Sequence, residues 1–482
     1  MTDATTIAAR RYSELHPGYH LVTAQPAAIP FSWLTLEVLA QQRKPLPVVD
    51  EFVLRLCRQG VDTINEVAGV LGIGDDAVRT AVARRLSDEH LDYRPDPHPE
   101  HHGTRRISLT RSGTVAAEDL QTTSPQRVTH PQGFDRLLWA PTATRKFELI
   151  GRKDAAADGM VILPAKRTRD VTTDEVTPRA INRLLGPAHH QVTGAGAYRP
   201  SGSELVDVLA VDAVTRQYLH YMPAVILVFT AAGFADVRLT VVVDDIVSTP
   251  HDQALAEAGG VGAVRISVEP SVGEPALPPQ LAAQRTPHDT VRGLQRRADT
   301  TPAATEPGTV LAADDEDAAT ARAELAALTV RSVPSFEHPE LLAAAVASAR
   351  RRFLLVAPVL RAAVVTDGLE SQLEVMLRRR DLVARIAYGL GHPDRDHDHD
   401  ALDRLQRLAD THDNLTLVRV DTAMAHDLIF DDTWINTSFD WLSYRGPNRV
   451  YRQEEGTLVR SADAVDDRYH QCVSAIDLTI VT

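Results

Sequence analysis

The sequence is poor in the features that mark secreted and membrane-spanning proteins. Only two cysteines, Cys57 and Cys472, occur in 482 residues, so neither a disulfide framework nor a paired-cysteine metal site can form within one chain. The longest apolar run, residues 222–234, is too short to cross a bilayer, and the N-terminus lacks the continuous apolar segment of a signal peptide. These absences predict a cytoplasmic protein that does not enter a membrane.

An excess of positive charge is also missing. The formal net charge is −14 and the sequence pI is about 5.7, which argues against a protein that coats nucleic acid nonspecifically. Local basic patches can still bind phosphate. The composition, with 44% hydrophobic and 24% charged residues, is that of a globular protein, and the length suits several domains.

Between residues 63 and 86 the apolar spacing predicts two short helices joined by a tight turn. Thr63 and Glu66 have the spacing of a capping box, Gly72 suits a left-handed helix end, and Asp75 suits the N-cap of the second helix. The apolar positions with helical spacing are Ile64, Val67, Ala68 and Leu71 in the first helix and Val78, Ala81, Val82 and Leu86 in the second.

A basic hairpin follows these helices. The stretch "HHGTRRISLTRSG" predicts a basic turn, a strand over 107–110 and a helix start. This order resembles the winged-helix family over residues 54–119, which implies DNA as a partner. The side chains predicted to contact DNA are Arg79, Thr80, Arg84, Arg105 and Arg106. A protein-binding winged helix is the alternative, because Asp75 and Asp76 put negative charge where phosphate would approach.

The rest of the chain divides into further zones. Residues 29–56 are apolar and predicted to be helical, and they complete a first zone over 1–125. Residues 130–270 alternate short β-branched runs with turn signals and predict a β-rich or mixed domain. Residues 271–330 are rich in Pro, Ala and acidic residues and predict a largely disordered linker. Residues 331–482 alternate amphipathic helices with short apolar strands, which predicts a mainly parallel sheet covered on both faces.

The last 150 residues resemble one half of a phospholipase D-like phosphodiesterase of the HKD type. The matching stretches are "RRRFLLVAPVL", "IAYGLGHPD", "NLTLVRV", "TSFDWLSYRG" and "YRQEEG". The resemblance implies a histidine that attacks phosphorus while lysine, serine and asparagine hold the phosphate oxygens, and a second copy whose histidine protonates the leaving oxygen. With one copy per chain, it implies a homodimer through the C-terminal domain. The predicted fold class is therefore multi-domain α/β, with a winged helix, a β-rich or mixed middle domain and a phospholipase D-like domain.

The catalytic residues that this resemblance assigns are His426, Ser438, Asp440, Asp431 and Glu454. Two registers are open. Counting back from Asp431 puts His426 at the lysine position and Met424 at the nucleophile position. A shift by two residues puts His426 at the nucleophile position and Leu428 at the lysine position.

Both registers leave the site without its cation, because histidine is mostly neutral at pH 7. Thr437 and Ser438 replace the family's Gly-Ser, and Asp440 stands where asparagine is expected. A carboxylate about 4 Å from a phosphate charge costs on the order of 4 kcal/mol at an effective dielectric near 20. We therefore predict a degenerate site. No metal or cofactor is expected, since the loop with His392, His397 and His399 is typical of a solvated turn.

Three functions follow from this sequence. The first is a DNA-associated modular protein with a catalytically degenerate phospholipase D-like domain, which the resemblance links to prokaryotic defence or DNA processing and to other proteins of such a system. The second is an active metal-independent nuclease that works as a dimer. The third is a winged-helix transcription regulator or assembly scaffold.

Overall fold

The computed structural model describes residues 4–95, 105–144, 146–185, 204–231, 236–270, 273–298, 312–393, 396–444 and 450–480. These residues form a mixed α/β structure around two seven-stranded sheets, in agreement with the predicted α/β class. Among the described helices, none combines the length and the apolar composition needed to cross a bilayer.

The N-terminal part holds three helices, a β-hairpin and a fourth helix in the order expected of a winged helix, and residues 48–119 are called the winged helix here. Its elements and those before it are α1 (Ala4–Tyr12), β1 (Tyr19–Pro45), α2 (Val48–Arg58), α3 (Ile64–Leu71), α4 (Asp75–Ser87), β2 (Leu91–Pro95), β3 (Arg105–Leu109) and α5 (Arg111–Asp119).

The middle part contributes most of the first sheet. Its elements are β4 (Gln121–Asp135), β5 (Ala140–Thr142), α6 (Arg152–Ala157), β6 (Val161–Ile162), α7 (Pro178–Leu185), β7 (Glu204–Ala231), β8 (Val237–Val243), β9 (Ile246–Val247), α8 (Thr249–Glu257), α9 (Gly260–Val264) and β10 (Ser267–Glu269). The sheet has the order β5-β4-β1-β7-β8-β9, and β6 also pairs with β1.

The winged helix is inserted between two strands that pair with each other. β1 runs antiparallel to β4 from Phe31 opposite Asp135 to Pro45 opposite Gln121. At about 3.3 Å per residue, this paired stretch spans roughly 50 Å. The winged helix therefore lies at the far end of a long β arm. β7 pairs with the other edge of β1, with register shifts concentrated between Thr35 and Gln42, where bulges increase strand twist.

The predicted helix over residues 29–56 is wrong for its first part. Residues up to Pro45 form β1, and only Val48–Arg58 is helical. The buried side chains Leu34, Leu36 and Val38 recur with a period of two, which is the period of a strand with one buried face. Residues on both sides of position 125 thus share one sheet, and the division of the chain into four zones stays a prediction.

The winged helix itself follows its predicted pattern. Thr63 Oγ1 accepts a hydrogen bond from the Glu66 amide and donates one to the Glu66 carboxylate, which confirms the capping box. Gly72 ends α3 in the left-handed conformation, with φ of 66°. The predicted N-cap at Asp75 is wrong by one residue, because Gly74 is the N-cap and Asp75 begins α4.

The predicted disorder of residues 271–330 is wrong for three helices. They are α10 (Pro279–Gln284), α11 (His288–Ala298) and α12 (Ala312–Ala327). Leu281 and Val291 are buried, and Ala318 and Ala321 bury the small face of α12. Small alanines can bury a helix face without long apolar side chains, so a polar composition concealed an ordered segment. Residues 299–311 lie outside the described part of the chain.

The C-terminal part forms the second seven-stranded sheet. Its elements are β11 (Val330–Val333), α13 (His338–Ser348), β12 (Arg352–Ala357), α14 (Asp367–Leu377), β13 (Val383–Gly389), α15 (His399–Thr411), β14 (Leu415–Val420), β15 (Leu428–Phe430), β16 (Thr433–Thr437), β17 (Val450–Arg452), β18 (Gly456–Val459) and α16 (Ala462–Ile480). The strand order is β11-β18-β16-β15-β12-β13-β14.

The predicted βαβ rhythm is confirmed for β12, β13 and β14, but the predicted mainly parallel sheet is wrong. Four of the six strand pairs in this sheet are antiparallel, because β11, β18, β16 and β15 are added antiparallel to one another and to β12. β12, β13 and β14 are parallel, and α14 and α15 connect them. Phe353 and Leu355 of β12 pack into one hydrophobic core, while Leu354 and Val356 pack into a second core on the opposite face. Both faces of the sheet are therefore covered, as continuous apolar strands require. β15, β16 and β18 are antiparallel and carry the candidate site at their edge.

Candidate functional site

His426 lies just before β15, and its ring is held by the backbone. Its Nδ1 is 2.8 Å from the Ser438 carbonyl oxygen. A carbonyl oxygen only accepts, so Nδ1 carries the proton and Nε2 of the neutral ring is unprotonated. The carbonyl of His426 accepts from Trp441 Nε1 at 2.7 Å. The side chain is 20% exposed, so the geometry presents Nε2 as a base or nucleophile.

The register around His426 follows from these contacts. Leu428 is fully buried in the core on one face of the sheet, and Met424 packs against the core on the opposite face. His426 is the side chain that meets Asp440, at 3.3 Å from Nδ1 to a carboxylate oxygen. The lysine position of the shifted register is thus an apolar core position that cannot approach a phosphate.

Two carboxyl groups accompany His426. Burial raises the pKa of Asp440, against the opposing charges of His426 and Arg452. Burial, followed by the charge of Asp440, raises the pKa of Glu454 to about 8. Glu454 is 4% exposed, so it is mainly protonated at neutral pH. Two carboxyl groups that interact this closely disfavour ionisation of both, so a protonated Glu454 leaves Asp440 as the group that can carry the negative charge.

A second histidine lies beneath these residues, and the sequence analysis missed it. His338 is fully buried at the start of α13. Its Nδ1 is 3.1 Å from the carbonyl oxygens of Pro334 and Ser335, and its Nε2 is 2.9 Å from Thr437 Oγ1. Burial lowers the pKa of His338 to about 4, so the ring is neutral. The "FEHPELL" pattern predicts a helix start, but nothing in it predicts contact with a residue 99 positions later.

Ser438 and Asp431 differ in their relation to His426. Ser438 Oγ is buried, and it has no hydrogen-bond partner among the described residues. Asp431 lies at the opposite end of β15, where its carboxylate accepts backbone hydrogen bonds from Arg350 and Arg351, the shortest at 2.7 Å. Asp431 therefore fixes the start of β12 and is not brought next to His426. We call His426, Ser438, Asp440, Glu454 and His338 the His426 cleft.

The charge of the His426 cleft bears on phosphate binding. Arg452, whose charge reaches Asp440 and Glu454, is itself paired with Glu269 at 3.2 Å. Arg445 lies outside the described residues. A phosphate next to His426 would thus meet a carboxylate beside the imidazole, which favours proton transfer over oxyanion stabilisation.

The predicted DNA-contacting residues fall into two groups. Arg84 donates to Asp50 at 2.6 Å and Arg106 donates to Asp62 at 2.9 Å, so both guanidinium groups are held by carboxylates. Thr80 donates to the Asp76 carbonyl within its own helix.

The other two arginines stand more openly on the winged helix. Arg79 is 63% exposed and only 4.0 Å from Asp76, while exposed Arg105 lies over the Tyr93 ring at 5.5 Å. Arg79 on α4 and Arg105 on the wing strand therefore form the part of this surface that can meet phosphate.

The histidine-rich loop after β13 has other contacts. His397 is buried, and its Nδ1 accepts from the Leu360 amide at 3.3 Å. His392 lies 3.6 Å from Asp396. Over the described ranges, no group of three His, Cys, Asp or Glu side chains is arranged to hold a metal ion.

Comparisons with known proteins give distant structural likenesses. No known family and no curated protein matches the sequence. The archaeal chromatin protein TrmBL2, whose structure shows a novel mode of DNA binding, is 17% identical over 33% of this chain and 60% of its own, with a TM-score of 0.22. The phospholipase D family member Nuc from Salmonella typhimurium is 14% identical over 30% of this chain and 90% of its own, with a TM-score of 0.23.

A third structure, NucT from Helicobacter pylori, is 12% identical over 31% of this chain and 94% of its own, with a TM-score of 0.22. The chain spans about 60% of the length of TrmBL2. Scores this low assign neither a family nor a function, which have to be argued from the residues.

Proposed function

We propose that this chain is a DNA-associated protein that contacts duplex DNA through α4 and the wing, and that its C-terminal domain does not cleave phosphodiesters. The observation that carries the proposal is the exposure of Arg79 and Arg105 at the end of the β arm, where no carboxylate of a described residue lies at hydrogen-bond distance from either. A helix and a hairpin that each present an exposed guanidinium group suit a groove and its flanking phosphates.

The test is duplex binding by fluorescence anisotropy at several salt concentrations. The double variant Arg79→Glu, Arg105→Glu should weaken binding by at least about tenfold, since each phosphate contact is worth roughly 1.5 kcal/mol. The slope of log affinity against log salt should shrink by about one to two units. The double variant Arg378→Glu, Arg380→Glu makes the same charge change at exposed positions just after α14 and should bind as the wild type does. Equal binding by the double variant would favour the scaffold function.

A metal-independent phosphodiesterase is the second candidate, and one observation favours it. The Ser438 carbonyl fixes the protonated Nδ1 of His426, which leaves Nε2 as the atom that could attack phosphorus. This candidate needs a second His426 from a homodimer to protonate the leaving oxygen. It predicts that His426→Ala abolishes metal-free cleavage and that wild-type activity depends on dimer formation, which sedimentation measures.

The remaining expectations belong to the same proposal. A cytoplasmic location, a homodimer through the C-terminal domain and partner proteins in a defence or DNA-processing system are consistent with a modular DNA-associated chain. Of these expectations, the homodimer can be tested on the purified protein, by sedimentation at several concentrations.

A further inference from the structure

A cavity of about 220 Å³ lies on the side of the second sheet formed by β11 and β18. α1, α11, α12, β11 and the residue after β18 form its walls. Three arginines from distant parts of the chain, Arg10, Arg331 and Arg460, line it together with Gln295. Leu325 and Ala326 of α12 close one side. The cavity is thus separate from both the winged helix and the His426 cleft.

The three guanidinium groups have unequal partners. Arg10 is 2.6 Å from the Glu340 carboxylate, and Arg331 is 2.8 Å from the Glu337 carboxylate. Arg460 donates to the Ala326 carbonyl at 2.9 Å. For Arg460, the structure places no carboxylate of a described residue within ion-pair distance. Arg460 therefore faces the cavity beside two other guanidinium groups without a described carboxylate at ion-pair distance.

The charge of Arg331 affects the neighbouring Arg460. Loss of hydration and then the charge of Arg331 lower the pKa of Arg460. Like charges that converge on a cavity repel each other unless an anion enters. Arginine presents a planar fork of N–H donors that matches phosphate oxygens, and several forks from different directions can surround one oxyanion.

We propose that this cavity binds a small phosphate-type oxyanion. Its volume is below the roughly 300–1,000 Å³ typical of sites for drug-sized ligands, so a phosphoryl group or pyrophosphate suits it and a large ligand does not. Arg460 supplies the donor that lacks a carboxylate, and Arg10 can turn from half-exposed Glu340 toward the anion. The bound anion would contact α1, α12 and the edge of the second sheet at the same time.

The same cavity touches the support of the His426 cleft. Glu337 accepts hydrogen bonds from Arg331 and from Gln295, which both line the cavity. The next residue is His338, the buried histidine beneath the cleft. An anion that draws Arg331 from Glu337 would therefore act one residue from His338.

The test is isothermal titration of the full chain with inorganic phosphate, pyrophosphate and a nucleoside 5′-monophosphate. Wild type should bind at least one of them, and Arg460→Gln should weaken that binding about tenfold, the loss expected for one charge-assisted contact. Arg378→Gln also removes one positive charge, at the exposed C-terminal end of α14, and should leave the affinity unchanged. The three ligands distinguish a free anion from a phosphomonoester.

Two results would overturn the proposal. One is the absence of heat with all three ligands at millimolar concentration, and the other is equal affinity in wild type and Arg460→Gln. If Arg460→Gln does not fold, Arg10→Gln removes a lining guanidinium from a different element and should weaken binding by a similar factor. Unchanged binding in Arg10→Gln would then contradict the proposal.

Discussion

The winged helix and the His426 cleft differ in the sign of the charge that an approaching phosphate would meet. On the winged helix, Arg79 and Arg105 reach solvent, and the acidic partners hold other arginines in place. In the cleft, the carboxyl groups of Asp440 and Glu454 accompany His426. The described side chains around His426 thus present carboxyl groups to a phosphate, whereas the winged helix presents exposed guanidinium groups. The described side chains therefore favour phosphate contact at the winged helix over contact in the His426 cleft.

This comparison depends on what holds the arginines of the winged helix. Asp50 is fully buried in α2 and binds both Arg84 and Arg85 of α4, at 2.6 Å and 3.0 Å. Arg85 is only 5% exposed, so Asp50 is its main compensation together with Asp88. Removing Asp50 breaks the frame that orients α4.

Asp50→Ala should have the largest effect on stability. It leaves the buried Arg85 guanidinium with less compensation, which costs about 3–5 kcal/mol of unfolding free energy. Hydrogen exchange of the α2 and α4 amides measures the loss locally. Arg84→Ala is the matched control, because Arg84 is half exposed and its pair should be worth less than about 1 kcal/mol. Equal losses in both variants would show that the buried charge does not organise the module.

Glu454→Gln should change the pH dependence of stability. Native Glu454 keeps its proton up to about pH 8, whereas the unfolded chain releases it near 4.5, so the native state binds more protons between these values. The unfolding free energy of the wild type therefore falls with rising pH by up to about 1.4 kcal/mol per unit, and the variant lacks this fall. Urea unfolding from pH 6.5 to 8 measures the difference.

His338 acts in the opposite direction over a lower range. Its native pKa of about 4 lies below its ordinary value of 6.5, so its contribution to stability is lost as the pH falls from 6.5 toward 4. Above pH 6.5, Glu454 is the one of these two residues that makes stability depend on pH.

The control for Glu454→Gln is Glu455→Gln, at the exposed neighbouring position. It should leave the wild-type slope of unfolding free energy against pH unchanged. A slope unchanged by Glu454→Gln would mean that the cleft holds an ionised glutamate.

Gly72→Ala should have the smallest effect. The position has φ of 66°, which disfavours a residue with a Cβ by about 1 kcal/mol, and it sets the turn that orients α4. Gly69→Ala in the same helix has open space and ordinary helical geometry, so it should stabilise by roughly 0.5–1 kcal/mol. Thermal unfolding followed by circular dichroism compares the two. If both substitutions changed the stability in the same direction, the left-handed turn at Gly72 would be contradicted.

Local signals in the sequence predict the parts of this fold whose contacts are local. The capping box at Thr63 and the helical spacing after it predict the winged helix, and the alternating helices and strands predict β12, β13 and β14. The sequence predicts a helix for residues 29–45, which form most of β1. The pairing of β1 with β4 crosses the entire winged helix, so the strand is indicated only by the period of two of Leu34, Leu36 and Val38.

The His426 cleft could be predicted only in part. His426, Asp440 and Glu454 follow from the resemblance, and the structure brings them together. Asp431 follows from it as well, but the strand β15 separates it from His426. His338 and the protonation of Glu454 depend on burial by residues far apart in the sequence, which no spacing within a motif records.

The most direct test of the account is a metal-free phosphodiesterase assay in EDTA with bis-p-nitrophenyl phosphate and with single- and double-stranded DNA. Wild type, His426→Ala and Ser438→Ala are compared in the same preparation that is tested for duplex binding. We expect no cleavage by any of the three proteins while wild type still binds duplex DNA. Cleavage by wild type that is lost in His426→Ala and Ser438→Ala would contradict the account and establish the chain as a nuclease.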